Sequence, residues 1–312
     1  VAAVSFYRIA EAGVLFSQGG PLYVDFGAAV EPPVLTPLAL DQRIVITGHS
    51  IPDAFVKTTL ADAIVAMGGT IQRWSSTGPF STARWRWENR PVAPDEVRGL
   101  MEAPGASYDA FVGTEAHGGT YFVGDDPVGR SSVIDAVTQW VPPAPASDNV
   151  YVYALLWHNL AASTGAQTHY MSFWRNDPPE IFGADWRAAQ VPEIPLWDGI
   201  VDYVNAHRAA GTPAMRLVPL LSVFCAIYDA IQAGQITGIT MGSLFSDSVH
   251  QDTAIGRWVS IATLLAVVYR RHPDTLPANA GTNANISETL AAQLRPVVWS
   301  TCLETTRAGL AA

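Results

Sequence analysis

Apolar positions along the chain fall into short runs that end at glycine and are followed by helical spacing. Arg43-Ile-Val-Ile-Thr is a compact apolar run ending at Gly48. After Pro52 come Phe55, Leu60, Ile64 and Met67, spaced as on one face of a helix that Gly68-Gly69 closes. The reading is strand, turn, helix. The same unit recurs: Thr70-Ile-Gln-Arg-Trp before Gly78; Tyr108-Asp-Ala-Phe-Val before Gly113, with a helical pattern at Ile134 to Trp140; Tyr151-Val-Tyr-Ala-Leu-Leu-Trp; and Met215-Arg-Leu-Val-Pro after a helical stretch at Trp197 to Arg208. Five strands alternating with helices predict an α/β fold, a three-layer α/β/α sandwich around a central parallel sheet of about five strands.

The two ends read differently. Residues 1–42 hold short alternating pieces such as Pro21-Leu-Tyr-Val-Asp-Phe, then Pro32, Pro33 and Pro37, an extended lead-in rather than a folded core. Helical spacing of threes and fours dominates the last third, over Leu217 to Ala233, Ile255 to Tyr269 and Ser287 to Leu310. The predicted organisation is a lead-in at 1–42, one α/β domain at 43–270 and a helical extension at 271–312 packed on that domain. Pro142, Pro143 and Pro145 mark a loop before the Tyr151 run, and no repeat of fixed period is present.

Composition narrows the function. Of 312 residues, 49% are hydrophobic and 15% charged, enough apolar surface to offset chain entropy, so the chain folds. The net charge of −10 and scattered arginines lack the basic footprint that nucleic acid or anionic lipid needs. The longest apolar stretches, Trp258 to Tyr269 and Leu217 to Ile231, fall short of the roughly 18 to 20 residues of a membrane span. The first residue is Val1 rather than Met, which accommodates removal of an export leader; a periplasmic or secreted protein and a cytoplasmic one both fit. Two cysteines, Cys225 and Cys302, are wrongly spaced for zinc; Cys225 reads as a buried thiol, and a single bridge is open to an exported protein. No cofactor is expected. Asn285-Ile-Ser is a formal glycosylation sequon of a kind that arises often by chance.

In an open parallel sheet, ligands collect at the carboxyl ends of the strands. Ser50, in Gly48-His49-Ser50, follows the first strand at such an end, where its hydroxyl can attack an acyl carbon and nearby backbone N–H groups can meet the developing oxyanion. A serine at a helix start is also a common N-cap. Ser246-Asp247-Ser248-Val249-His250 precedes the last long core helix, and its Asp-x-x-His spacing lets one loop deliver a base, His250, and the carboxylate that orients it, Asp247. Both are predicted on one sheet edge.

With these residues the sequence resembles the SGNH (GDSL-like) hydrolases, α/β/α serine esterases, lipases and carbohydrate deacetylases. The family's strand followed by Gly-Asp-Ser is matched by Ile44-Val-Ile-Thr-Gly-His-Ser, and its Asp-x-x-His by Asp247 to His250. Gly78, in Ser75-Ser-Thr-Gly-Pro, matches the second-block glycine whose N–H assists the oxyanion hole. The third block, Gly-x-Asn-Asp, is met by Gly113-Thr-Glu-Ala-His, which puts Glu115 where an Asn donor belongs and marks a divergent subfamily. An ionised carboxylate only accepts hydrogen bonds and would repel an oxyanion. The missing donor is therefore sought at Asn159, in Leu156-Trp-His-Asn. The resemblance spans about Arg43 to Tyr269.

It implies a serine esterase acting on a small acyl ester, with a carbohydrate O-acetyl group as the favoured class. Ser50, His250 and Asp247 would be the triad, and the Ser50 and Gly78 amides with Asn159 the oxyanion hole. Glu115, His117, His158 and His49, at or beyond predicted strand ends, are the candidate substrate-binding side chains. Two rival readings stand beside it. One is a non-catalytic carbohydrate-binding or structural protein on the same fold. The other is a metal-dependent hydrolase using His49, His117, His158, His169 and Glu115, although no tight histidine spacing supports it. Trp74, Trp85 and Trp87, interleaved with Arg73, Arg84 and Arg86, suit a sugar-stacking groove or equally a half-buried strand or hairpin.

Overall fold

A computed structural model describes residues 15–17, 20–22, 35–56, 58–77, 82–89, 96–115, 146–174, 184–247, 250–251 and 253–310. Contacts divide the chain into two compact units, Val1–Val34 and Leu35–Ala312. In the first, β1 (Leu15–Ser17) pairs antiparallel with β2 (Gly20–Leu22).

The second unit is built on a parallel sheet of β3 (Arg43–Gly48), β4 (Gln72–Thr77), β5 (Ala110–Gly113), β6 (Gln167–Met171) and β7 (Arg216–Val218), in the order β4-β3-β5-β6-β7. The chain therefore starts in the interior of the sheet, steps to one edge, and returns across β3 to build the other side. That is the flavodoxin-like order, and its reversal point lies between β3 and β5.

Alternate residues of a strand face opposite sides of a sheet, and both sides are covered here. Ile44, Ile46, Ala110 and Val112 share a core with Phe55 of α1 (Ser50–Val56), with Leu60 and Ile64 of α2 (Thr59–Ala66), and with the C-terminal helices. Val45 and Phe111, the alternate positions, pack with Ala83 of α3 (Ala83–Asn89), Val97 and Met101 of α4 (Val97–Glu102), and Trp157 and Ala161 of α5 (Ala146–Ser163). Each fully buried large apolar side chain contributes roughly 1.5–3 kcal/mol. The exposed Arg43–Asp109 ion pair between the β3 and β5 starts, 3.0 Å long, belongs to a class that contributes about 0–1 kcal/mol, so the core sets the register.

The remaining helices are α6 (Ala184–Gln190), α7 (Ile194–His207), α8 (Leu220–Gln232), α9 (Ala254–Val268) and α10 (Glu288–Glu304). Nearly all of α9 from Trp258 to Val268 is buried, and Leu294, Val298 and Cys302 of α10 belong to the same core.

One expectation needs correction. Tyr151 to Trp157 is not a strand but the middle of α5. Val150, Ala154, Trp157, His158 and Ala161 are buried in it, at helical spacing, while Val152 is exposed. The strand in that place is β6, Gln167-Thr-His-Tyr-Met, whose polar look concealed it. Thr168 and His169 are buried in it because each finds a partner: Thr168 Oγ1 lies 2.6 Å from His158 Nδ1, and His169 Nδ1 lies 3.2 Å from the Phe111 carbonyl oxygen. The helix expected at Ile134 to Trp140 and the proline loop at 142–145 lie outside the described residues.

Candidate active site

One residue, His49, separates the end of β3 at Gly48 from the start of α1 at Ser50. The turn is tight because nothing larger than glycine fits its first position: a Cβ on Gly48 would lie 2.5 Å from Pro52 Cγ and 3.1 Å from Thr114 Cγ2. His49 is buried, its Nδ1 3.3 Å from the Ile51 N–H that donates to it and its ring edge-on to Phe173 at 5.2 Å. The histidine thus braces the turn from inside, leaving the half-buried Ser50 hydroxyl beside His250, with Oγ 3.0 Å from His250 Nε2.

The segment carrying His250 is closed on itself. Ser246 N–H donates to the His250 carbonyl at 2.8 Å. Asp247 Oδ1 accepts from His250 N–H at 2.7 Å, and Oδ2 lies 2.8 Å from His250 Nδ1. A carboxylate can only accept, so Nδ1 carries the ring proton, Nε2 is the open acceptor, and Ser50 Oγ donates to it. His250 is partly covered, 23% exposed, whereas Asp247 is 53% exposed. Downstream, Thr253 caps α9 by accepting from Gly256 N–H at 3.1 Å. Gln251 Nε2, between them, donates to the Ile51 carbonyl at 3.1 Å.

The other expected site residues are dispersed. Glu115 is buried, and its Oε1 accepts from the Ala83 N–H at 2.8 Å, at the first residue of α3. Arg86, also buried, donates from α3 to the Thr114 carbonyl, so α3 and the β5 exit hold each other at two points. Glu115, His49 and His158, expected as substrate-binding side chains, are all buried, with 1% exposure or less.

Asn159 is not at a strand end. It sits in the last turns of α5, and Nδ1 of the neighbouring His158 meets Thr168, a residue in register with Phe111. Phe111 is in turn level with Val45, so Ser50, beyond Gly48, lies roughly 10 Å further along the strand direction. Asn159 therefore stands apart from Ser50, within helix α5 where a strand end was expected. Gly78 and His117 lie outside the described residues.

Burial depresses His158 to about 4, with Arg208 adding to the effect, and His169 to about 3, with Arg216 adding to it, so both imidazoles are neutral. Among the described residues no three His, Cys, Asp or Glu side chains converge as metal ligands. Cys225 and Cys302 are free and buried, with the Cys225 thiol pushed up to about 12 by burial. The Arg/Trp alternation divides between two elements: Arg73 and Trp74 lie in β4, while 84–87 lie in α3 rather than a second strand or hairpin. Trp74 meets Tyr108 edge-on at 5.3 Å, Trp87 meets Trp157 at 5.1 Å, and Arg98 stacks 4.1 Å from the Trp87 ring centroid. Those two tryptophans pack against a core rather than line a groove.

Sequence reasoning missed Gln251, Thr114 and Arg86. Each acts through a contact distant in sequence, so local pattern held no signal for that role.

No family model matches this chain. No curated protein matches it either. Among solved structures, the chain overlaps a protein of Slackia heliotrinireducens whose description assigns it provisionally to the SGNH hydrolases. The two are 13% identical with a TM-score of 0.41, and the overlap covers 72% of this chain and 97% of that one. Nothing about chemistry follows from an overlap of that degree. Among the described residues, no helix is long and apolar enough to cross a membrane.

Proposed function

We propose that the protein is a serine hydrolase that cleaves small acyl esters, with an O-acetyl group on a carbohydrate as the favoured class of substrate. The observation that carries this reading is the continuous relay from Ser50 Oγ to His250 Nε2 at 3.0 Å and from His250 Nδ1 to Asp247 at 2.8 Å. It lies after β3, beside the reversal point of the sheet, where parallel α/β folds bind ligands.

In this mechanism Ser50 Oγ attacks the acyl carbon while its proton passes to His250 Nε2. Negative charge develops on the carbonyl oxygen, and the backbone N–H groups of Ser50 and Gly78 are the proposed donors to it. The tetrahedral intermediate collapses, the alcohol leaves with the proton from His250, and an acyl-serine remains. Water then attacks the acyl carbon, giving a proton to His250, and the second intermediate collapses as His250 returns that proton to Ser50 Oγ, releasing the carboxylic acid and free Ser50. Throughout, Asp247 keeps the proton on Nδ1 and stabilises the imidazolium.

The test is incubation with a fluorophosphonate probe and with p-nitrophenyl acetate, using Ser50→Ala as the control. One label per chain and ester turnover, both lost in Ser50→Ala, are the expected results. An intact, folded protein that takes no label overturns the proposal. So does activity that survives Ser50→Ala but disappears with a chelator, which points to metal chemistry instead.

A further inference from the structure

Gln251 follows His250 directly and is completely buried. Its Nε2 donates to the carbonyl of Ile51, the residue after Ser50, across 200 positions of chain. Ile51 is thus held at both ends, its N–H by His49 Nδ1 and its carbonyl by Gln251. One directional hydrogen bond therefore ties the turn that carries Ser50 to the loop that carries His250, immediately beside the contact between those two side chains.

A buried side chain that donates to a backbone carbonyl 200 positions away supplies what an apolar side chain of similar length cannot, a fixed distance between two backbones. The base of the Gln251 side chain packs closely against α9, because a Cβ on Gly256, in its first turn, would fall on both Leu244 O and Gln251 Cβ.

We propose that Gln251 is a positioning residue that holds the Ser50 turn and the His250 loop at the separation their side-chain contact requires. This rests on the serine-hydrolase reading. The two halves of the relay depend on Gln251 unequally. The Asp247–His250 pair is closed within its own loop and does not need the tether. The Ser50–His250 contact bridges two segments and does.

The experiment compares wild type with Gln251→Met, which matches the length and lacks the donor, and with Gln251→Asn, whose donor is too short to reach. In folded variants, kcat and the fluorophosphonate labelling rate should fall by about 10- to 100-fold, as misplacement near 1 Å costs, with KM within about twofold. The downfield proton resonance of His250 Nδ1 should persist in both, because its partner is local. Wild-type labelling and kcat in folded Gln251→Met overturn the proposal. Loss of the Nδ1 resonance together with the cooperative unfolding transition in both variants also overturns it, showing a residue needed only for packing. If wild type itself takes no label, the serine-hydrolase reading fails instead. The tether is then read from solvent exchange of the Gln251 side-chain NH₂ protons in wild type, where the proton donated to the Ile51 carbonyl should be protected and where exchange as fast as a free amide excludes the tether as well.

Discussion

Asp247 holds His250 twice, through the backbone N–H at 2.7 Å and through ring Nδ1 at 2.8 Å, using a different carboxylate oxygen for each. Asn has one acceptor atom and one donor group, so Asp247→Asn can keep only one of these bonds. If the oxygen stays on the backbone, the amide NH₂ faces Nδ1 and drives the ring proton to Nε2, where it blocks proton transfer from Ser50. We expect kcat to fall by about 10⁴-fold while stability changes by no more than about 1 kcal/mol, because the carboxylate is half exposed. Steady-state kinetics alongside urea unfolding checks both.

Glu115 gives the opposite pattern. Its bond to the Ala83 N–H ties α3 to the exit of β5, and nothing about that bond requires a charge. Removing the acceptor in Glu115→Ala should cost about 1–3 kcal/mol of stability, more than Glu115→Gln, which retains a carbonyl oxygen for the Ala83 N–H. Ester turnover by Glu115→Gln is expected within about tenfold of wild type, corresponding to about 1.4 kcal/mol at most in the barrier. A Gln variant that folds but loses all turnover would return the carboxylate to the chemistry.

Acid should destabilise the fold through two histidines remote from Ser50. Folding depresses His158 to about 4 and His169 to about 3, against an ordinary value near 6.5, so the unfolded chain binds more protons than the native one between these limits. Stability from this source is complete above about pH 6.5, declines as pH falls, and is lost by about pH 3 to 4, with a total on the order of a few kcal/mol. Urea midpoints measured from pH 8 to pH 4 should drop below pH 6.5. His158→Gln, which cannot take up the proton, should show a shallower drop.

The parallel α/β class was legible because Ile44 to Ile46 and Ala110 to Val112 are short apolar runs ending at glycine, each bordered by a turn. Ser50 and the Asp247/His250 pair were legible because each lies next to a strong local signal, the end of the β3 run and the start of α9. The Tyr151 to Trp157 run was misread because alternation of aromatic and aliphatic residues over seven positions fits a strand as well as one stripe of a helix. β6 was missed because Thr168 and His169 look polar until their buried partners, on α5 and β5, are known.

By itself the sequence determined which stretches bury a face, where the chain turns, and which chemically capable side chains stand at those turns, since each depends on neighbours a few residues away. Only the tertiary structure decided which of them meet. His250 reaches Ser50 and Gln251 reaches Ile51, while Glu115 bonds to Ala83 and Asn159 sits on α5, away from the Ser50 end of the strands. Those distances follow from strand order and helix packing, to which every segment of the core contributes at once. A local pattern of apolar and polar residues does not encode a separation across 200 positions.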